Sequence, residues 1–313
     1  MKEGTLLSRQ SLDHHTRQFE EPVPSAFDFA ATVQAHGWVV LRPFDWHEAS
    51  DSLSRTHRLD TATVVRLRMQ AGQGEPGQVV RICVESTGPL TTAEEAEIRR
   101  AVRRMLRLDE DLAELYRLSG QLDGWSLNLA PGSGRLLRCP RLFEDIVYTL
   151  CTTNIAWSGT KRMVDRLTAR LGDAFPGNGR WRAFPSAETI AAAGPQLLKQ
   201  ETGLGYRSEY VWELAAAVVE DKLDLTTFED PDLATDELYR MLRQIKGVGD
   251  YAAATILMLL GRYERLAIDS EMRAFVSRKY FAGEPPVDDA RIRAIYAPWG
   301  RWQYLAYWFD LSE

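Results

Sequence analysis

The sequence predicts an α+β fold, a small N-terminal antiparallel-sheet α/β domain followed by a larger all-helical part, and three observations carry that reading. Short β-branched runs are confined to the segment ending at Val84, apolar residues recur only at helical spacing from Pro140 onward, and glycines and prolines punctuate the helical part. The length of 313 residues suits roughly two domains. A hydrophobic fraction of 45% with 26% charged residues is that of a globular protein, which excludes a disordered, collagenous or fibrous chain. The longest nearly apolar run, Tyr251 to Leu260 with only Thr255 inside it, falls well short of the ~18 residues a membrane-spanning helix needs. The polar start MKEGTLLSRQ has no apolar signal stretch, so a cytoplasmic protein without membrane contact is expected.

The elements follow in order. Residues 1–25 are polar, carry Pro22 and Pro24 near their end, and are expected to form a loosely held arm. Trp38–Leu41, Thr61–Met69 and Gln78–Val84 read as three antiparallel strands, the last two separated by the turn-rich Ala71–Gly77. A helix is announced by Thr92 as N-cap with Glu95 three residues on, and is carried by Ile98, Val102, Met105 and Leu106. Helices are then expected near 141–151, 157–171, 186–200, 206–221, 235–245, 250–260, 270–279 and 288–309, the last interrupted at Pro298. Gly177, Gly203, Gly205, Gly247, Gly249 and Pro285-Pro286 separate them. The resulting division is an arm over 1–25, an α/β domain over 26–118 and a helical core over 119–313.

Composition limits the chemistry. Cys83, Cys139 and Cys151 form neither an even disulfide set nor a CxxC pair, and an iron-sulfur cluster needs a fourth ligand. All five histidines lie between His14 and His57 with no acidic partner at metal-ligand spacing, so no catalytic metal or cofactor is expected. The net charge of -6 argues against a uniformly basic nucleic-acid binder. Between Arg135 and Arg182, however, nine basic side chains face four acidic ones, a local +5 that suits either a phosphate-facing surface or a solvated helical face.

The most informative stretch is LRQIKGVGDYAAATI, Leu242 to Ile256, where two amphipathic segments meet at Gly247-Val248-Gly249. This pattern is a helix-hairpin-helix. Glycines permit a sharp turn and a close approach, and the following helix opens with free N–H groups and a positive dipole end suited to a phosphate. Further along, Asp269 follows an apolar tripeptide in LAIDSEMR and starts a helix, where an N-cap is the commonest use of an aspartate.

The combination of IKGVG, a following apolar run and AID resembles the DNA glycosylases of the helix-hairpin-helix superfamily, closest to their 8-oxoguanine and 3-methyladenine branches. The likeness runs from about Phe27 to Leu311 and includes FEDIVYTLCTTN (Phe143 to Asn154), GLGYRSEYV (Gly203 to Val211) and APWGRWQYLAYW (Ala297 to Trp308). It implies a two-lobed helical core, double-stranded DNA with a damaged base as partner, a nucleoid-associated location and no obligate protein partner. It implies that Asp269 is the catalytic carboxylate. It further implies a base pocket of Tyr251, Thr255, Tyr206, Tyr304 and Trp308, and DNA contacts from Lys246, Gly247, Val248, Gly249, Asn154 and Arg207. A monovalent cation on the hairpin carbonyls belongs to the same resemblance.

Departures from the family pattern narrow the reading. Lyase-type relatives carry a nucleophilic lysine two residues after the second glycine, where this sequence has Tyr251, which cannot form a Schiff base. Tyr304 stands where 8-oxoguanine enzymes carry an amide, and an aromatic pocket suits a cationic alkylated purine. A monofunctional glycosylase for alkylated purines is therefore expected. An 8-oxoguanine or deaminated-purine enzyme, a lyase using another lysine, and a non-catalytic lesion-binding module stay open.

Overall fold

The computed structural model describes residues 14–74, 77–122, 129, 130, 132–283 and 287–311. The first thirteen residues of the expected arm and the Pro285-Pro286 break lie outside them. Strands β1 (His15–Pro22), β2 (Phe44–His47), β3 (Ser52–Arg58), β4 (Val64–Gln73) and β5 (Gln78–Ser86) form one antiparallel sheet in the order β1-β5-β4-β3-β2. Helix α1 (Phe29–Gln34) lies between β1 and β2 in the chain, and α2 (Thr92–Leu106) follows β5. Helix α2 buries Ile98, Ala101, Val102, Met105 and Leu106, the stripe its periodicity foretold.

Several expectations change here. The arm contributes β1, because each residue from His15 to Pro22 has a register partner in β5, from Ser86 to Val79. Trp38–Leu41 is no strand: Gly37–Val40 form a 3-10 turn, pinned by the Trp38 indole donating to Asp145 at 3.1 Å. The sequence reading missed β3 because its residues are polar, yet Ser52–His57 are all buried. Arg55 survives there through an ion pair with Glu144 at 2.6 Å and a position over the Phe44 ring. The capping box sits one residue earlier than expected, with Thr91 and Glu94 exchanging hydrogen bonds, since adjacent threonines make the register ambiguous.

The rest of the chain is α3 (Ala113–Ser119), α4 (Leu142–Thr152), α5 (Trp157–Leu171), α6 (Ala187–Thr202), α7 (Arg207–Val219), α8 (Thr235–Leu242), α9 (Asp250–Leu259), α10 (Ser270–Tyr280), α11 (Asp289–Tyr296) and α12 (Gln303–Asp310). A small hairpin, β6 (Ala174–Phe175) and β7 (Asn178–Arg182), interrupts what was expected to be wholly helical. Phe175 and Ala183 pack on Val64, so a tertiary contact holds two strands too short for a sequence signal. The break at Pro298 occurs as expected, as a 3-10 segment with Gly300 at φ +55°.

Helix α9 is buried from Ala252 to Leu259, and it is the pivot of the molecule. Arg107, at the left-handed end of α2, donates to the carbonyls of Leu136, Met258 and Leu259, each at 2.8 Å. A cation on the last carbonyls of α9 complements the helix dipole and satisfies groups that would otherwise be buried without partners. Arg138 adds bonds to Arg104 and Leu259 carbonyls, and burial pushes its pKa down to about 9. The end of α2 and the segment before α4 are thus bolted to the helix that starts at the glycine hairpin.

Candidate active site

A cleft of about 1090 Å³ opens where five segments converge: the turn at His36–Trp38, the α4–α5 connection, the α6–α7 turn, the start of α9 and the start of α10. Helix α12 closes it from behind with Tyr304, Tyr307 and Trp308. Asp269 caps α10, its Oδ1 accepting from the Met272 N–H at 2.8 Å. Its other oxygen takes no hydrogen bond among the described residues, and the side chain is half-buried. One oxygen is therefore fixed by the backbone while the other is available to whatever fills the cleft.

Aromatic rings make up the walls. Trp308 donates its indole N–H to the Ala35 carbonyl at 2.7 Å and meets the edge of His36, ring centroids 5.2 Å apart. His36 in turn lies 4.2 Å from Trp38, and Trp38 stacks on Trp157 at 6.5 Å with an interplanar angle of 7°. Tyr251 is half-buried and Thr255 donates to its carbonyl at 3.0 Å. Burial, and then the negative charge of Asp269, raise the Tyr251 pKa, so its hydroxyl stays protonated at neutral pH. Burial likewise holds Tyr304 well above the usual phenol range. A carboxylate among low-dielectric rings is a strong stabiliser of positive charge, because both the Coulomb term and the ring faces favour a cation.

At the mouth, the hairpin between α8 and α9 turns through Gly247 at φ +86°, where a side chain would collide with the Tyr210 ring. Gly249 is the N-cap of α9 and offers no side-chain cap, which leaves the first amides of that helix open. Val248 is buried and anchors the loop, while its carbonyl accepts from the Arg243 guanidinium at 2.8 Å.

Solved structures share this fold. A 3-methyladenine DNA-glycosylase from Archaeoglobus fulgidus superposes with a TM-score of 0.73 and 22% identity, over 94% of this chain and 97% of its own. The apo form of the Clostridium acetobutylicum 8-oxoguanine glycosylase/lyase gives 0.69 and 16%, over 96% and 97%. The chain has the fold of the helix-hairpin-helix DNA glycosylases. Among curated proteins, the Saccharomyces cerevisiae N-glycosylase/DNA lyase is 23% identical over 167 residues, covering 50% of this chain and 44% of that protein. The chain spans about half the length of the curated relatives it matches, 44% and 60%. No family model matches.

Within the glycosylase fold, the residues singled out from the sequence fall into two groups. Asp269, Tyr251, Thr255, Tyr304, Trp308, Tyr206, Asn154, Gly247 and Gly249 line the one cleft. Tyr206 is 50% exposed at its rim, edge-on to Tyr210. Asn154 is exposed in a left-handed turn at φ +49° beside Ile155, itself 40% exposed. Lys246 lies off the cleft and pairs with Glu213. Arg207 departs from expectation: it is buried, stacks on Tyr206 at 4.5 Å and donates to the Thr153 carbonyl. That geometry supports the turn carrying Asn154 from behind instead of meeting a phosphate.

The basic stretch divides in the same way. Arg135 and Arg138 are bound to buried backbone carbonyls, and Arg141 pairs with Asp60 and Glu97. Lys161, Arg162 and Arg166 remain exposed on α5, the helix whose Trp157 and Thr160 line the cleft. Sequence reasoning missed His36, Trp38 and Trp157 as cleft residues. Only the neighbouring glycine could have flagged them, since a side chain at Gly37 would press on the Trp157 ring at 3.0 Å. Among the described residues, no three His, Cys, Asp or Glu side chains are grouped to hold a metal ion, and no helix is long and apolar enough to cross a membrane.

Proposed function

We propose that the chain is a monofunctional DNA glycosylase that draws a damaged purine, foremost an alkylated one such as 3-methyladenine, out of a duplex and hydrolyses its N-glycosidic bond. The observation that carries this reading is Asp269, with one oxygen fixed and one unbonded, in a ring-walled cleft whose described lining contains no lysine. As the bond to the purine lengthens, positive charge develops on the deoxyribose and the free Asp269 oxygen stabilises it. Water supplies the hydroxyl at C1′; the cationic alkylated purine leaves as a neutral base with the electron pair of the broken bond, and the proton that water loses passes to solvent. Tyr251, protonated and without an amine, offers no route to a Schiff base and strand cleavage.

Flipping requires offsetting the lost stacking, and Trp308, Trp38 and Trp157 supply faces for the extruded ring, with Asn154 and Ile155 positioned to enter the gap. An alkylated purine carries positive charge that ring faces attract, which favours it over neutral lesions. The fold likeness to the Archaeoglobus fulgidus 3-methyladenine enzyme supports the same choice. The second fold likeness supports an alternative, 8-oxoguanine or a deaminated purine, against which Tyr304 stands in place of an amide. On this reading the N-terminal domain takes in β1 and runs on to residue 118, the two lobes of the core beyond it flank the cleft, and the hairpin holds a phosphate. A monovalent cation at the hairpin would compete with Arg243 for the Val248 carbonyl.

The test is release of free base from methylated duplex DNA by wild type and Asp269→Asn. The substitution should lower release by about 100-fold or more, the scale of losing one electrostatic stabiliser. Strand breaks should appear only after alkali, and borohydride should trap no adduct. Equal release by both proteins removes Asp269 from the chemistry, a trapped adduct establishes a lyase, and lesion binding without release establishes a binding module.

A further inference from the structure

The cleft contains one group that packing leaves unexplained. His36 is 4% exposed, lines the cleft, and is clamped between Trp38 and Trp308. Its Nδ1 lies 3.2 Å from the Leu137 carbonyl. A carbonyl only accepts, so Nδ1 carries the proton of that bond. Burial, opposed by the bond to Leu137, lowers the imidazole pKa to about 4, and a neutral imidazole carries one proton only. Nε2 is therefore a bare lone pair. No protein donor among the described residues reaches it, and it is not among the polar atoms sealed away from solvent. The Leu137 bond and the ring contacts account for the position of the imidazole, but not for an acceptor without a partner on a residue that lines the cleft.

We infer that His36 is a specificity-determining residue, its Nε2 accepting a hydrogen bond from the exocyclic amine of the extruded base, so that the cleft selects amine-bearing, adenine-type purines. This deepens the glycosylase reading and rests on it for the word base. The chemistry is one-sided: an amine completes the acceptor, a C–H leaves it desolvated and unpaired, and an oxo group sets two lone pairs against each other. Among rings, which discriminate poorly between flat bases, a single fixed acceptor decides the pattern of the base edge.

Binding of 9-methyladenine and 9-methylpurine, which differ only in the amine, tests this without requiring catalysis. Quenching of tryptophan fluorescence in the full chain should show 9-methyladenine bound about fivefold more tightly, the worth of one neutral hydrogen bond. His36→Phe, which keeps a ring between the two tryptophans, should bind both alike. His36→Gln, with a donor for Leu137 and an acceptor of its own, should restore part of the preference. Wild type binding both equally or neither, or His36→Phe keeping the preference, overturns the inference. Release of 3-methyladenine from methylated duplex by wild type and His36→Phe separates the two readings. An amine preference in binding with no release sinks the glycosylase and leaves His36 standing. Release that His36→Phe leaves unchanged sinks the role of His36 and leaves the glycosylase.

Discussion

His36 and His57 are both buried and neutral in the fold, desolvation lowering each pKa, to about 4 for His36 and well below the ordinary value for His57. Unfolded, each titrates near 6.5, so below that pH the unfolded chain binds protons that the folded chain refuses. Their contribution to stability is whole above pH 6.5 and is lost as pH falls toward the folded value, at up to about 1.4 kcal/mol per pH unit for each. Urea midpoints at pH 7, 6 and 5 should therefore fall faster for wild type than for the His36→Phe/His57→Leu pair. Parallel curves would mean that neither imidazole resists protonation. Asp269 joins two roles at the residue scale, since the bond that caps α10 also aims its second oxygen.

At the scale of the element, the hairpin separates two glycines that look alike in sequence. Gly247 has φ +86° and faces the Tyr210 ring, whereas Gly249 has φ -82° and only Arg243 nearby, at 3.7 Å. Gly247→Ala should therefore cost about 1–3 kcal/mol, from the left-handed backbone and the collision together, and lower the thermal midpoint. Gly249→Ala should leave that midpoint nearly unchanged while weakening duplex binding, because a methyl group would crowd the open amides of α9. Equal destabilisation by both would refute the distinction. Helix α9 shows what its sequence could not: apolar on almost every face, it is read as helix from its caps and length, but its place at the centre of the molecule follows from Arg107 and Arg138 holding its last carbonyls.

Across the whole molecule, a net charge of -6 coexists with the exposed Lys161, Arg162 and Arg166 of α5, the helix whose Trp157 and Thr160 line the cleft. If those three meet phosphates, duplex affinity falls with salt, and replacing all three by glutamine should reduce the log-log slope by about 3, each phosphate contact being worth about 0.9. Fluorescence anisotropy between low and moderate salt measures it. An unchanged slope would move the DNA footprint elsewhere.

What the sequence determined by itself is local. Helical period, the N-cap at Asp269 and the paired glycines each depend on residues within a few positions, so the helices, the hairpin and the acid were legible before any contact was known. The polar strand β3 was not, because the burial of Arg55 is stabilised by Glu144, 89 residues away. For the same reason the arginines of the basic stretch could not be sorted into those facing solvent and those tying carbonyls together. The aromatic wall was hidden too: Trp38 and His36 belong to a turn beside the sheet, Trp157 to α5 and Trp308 to α12. Only tertiary packing brings these rings to the carboxylate, since nothing in the spacing of distant residues records which faces will meet.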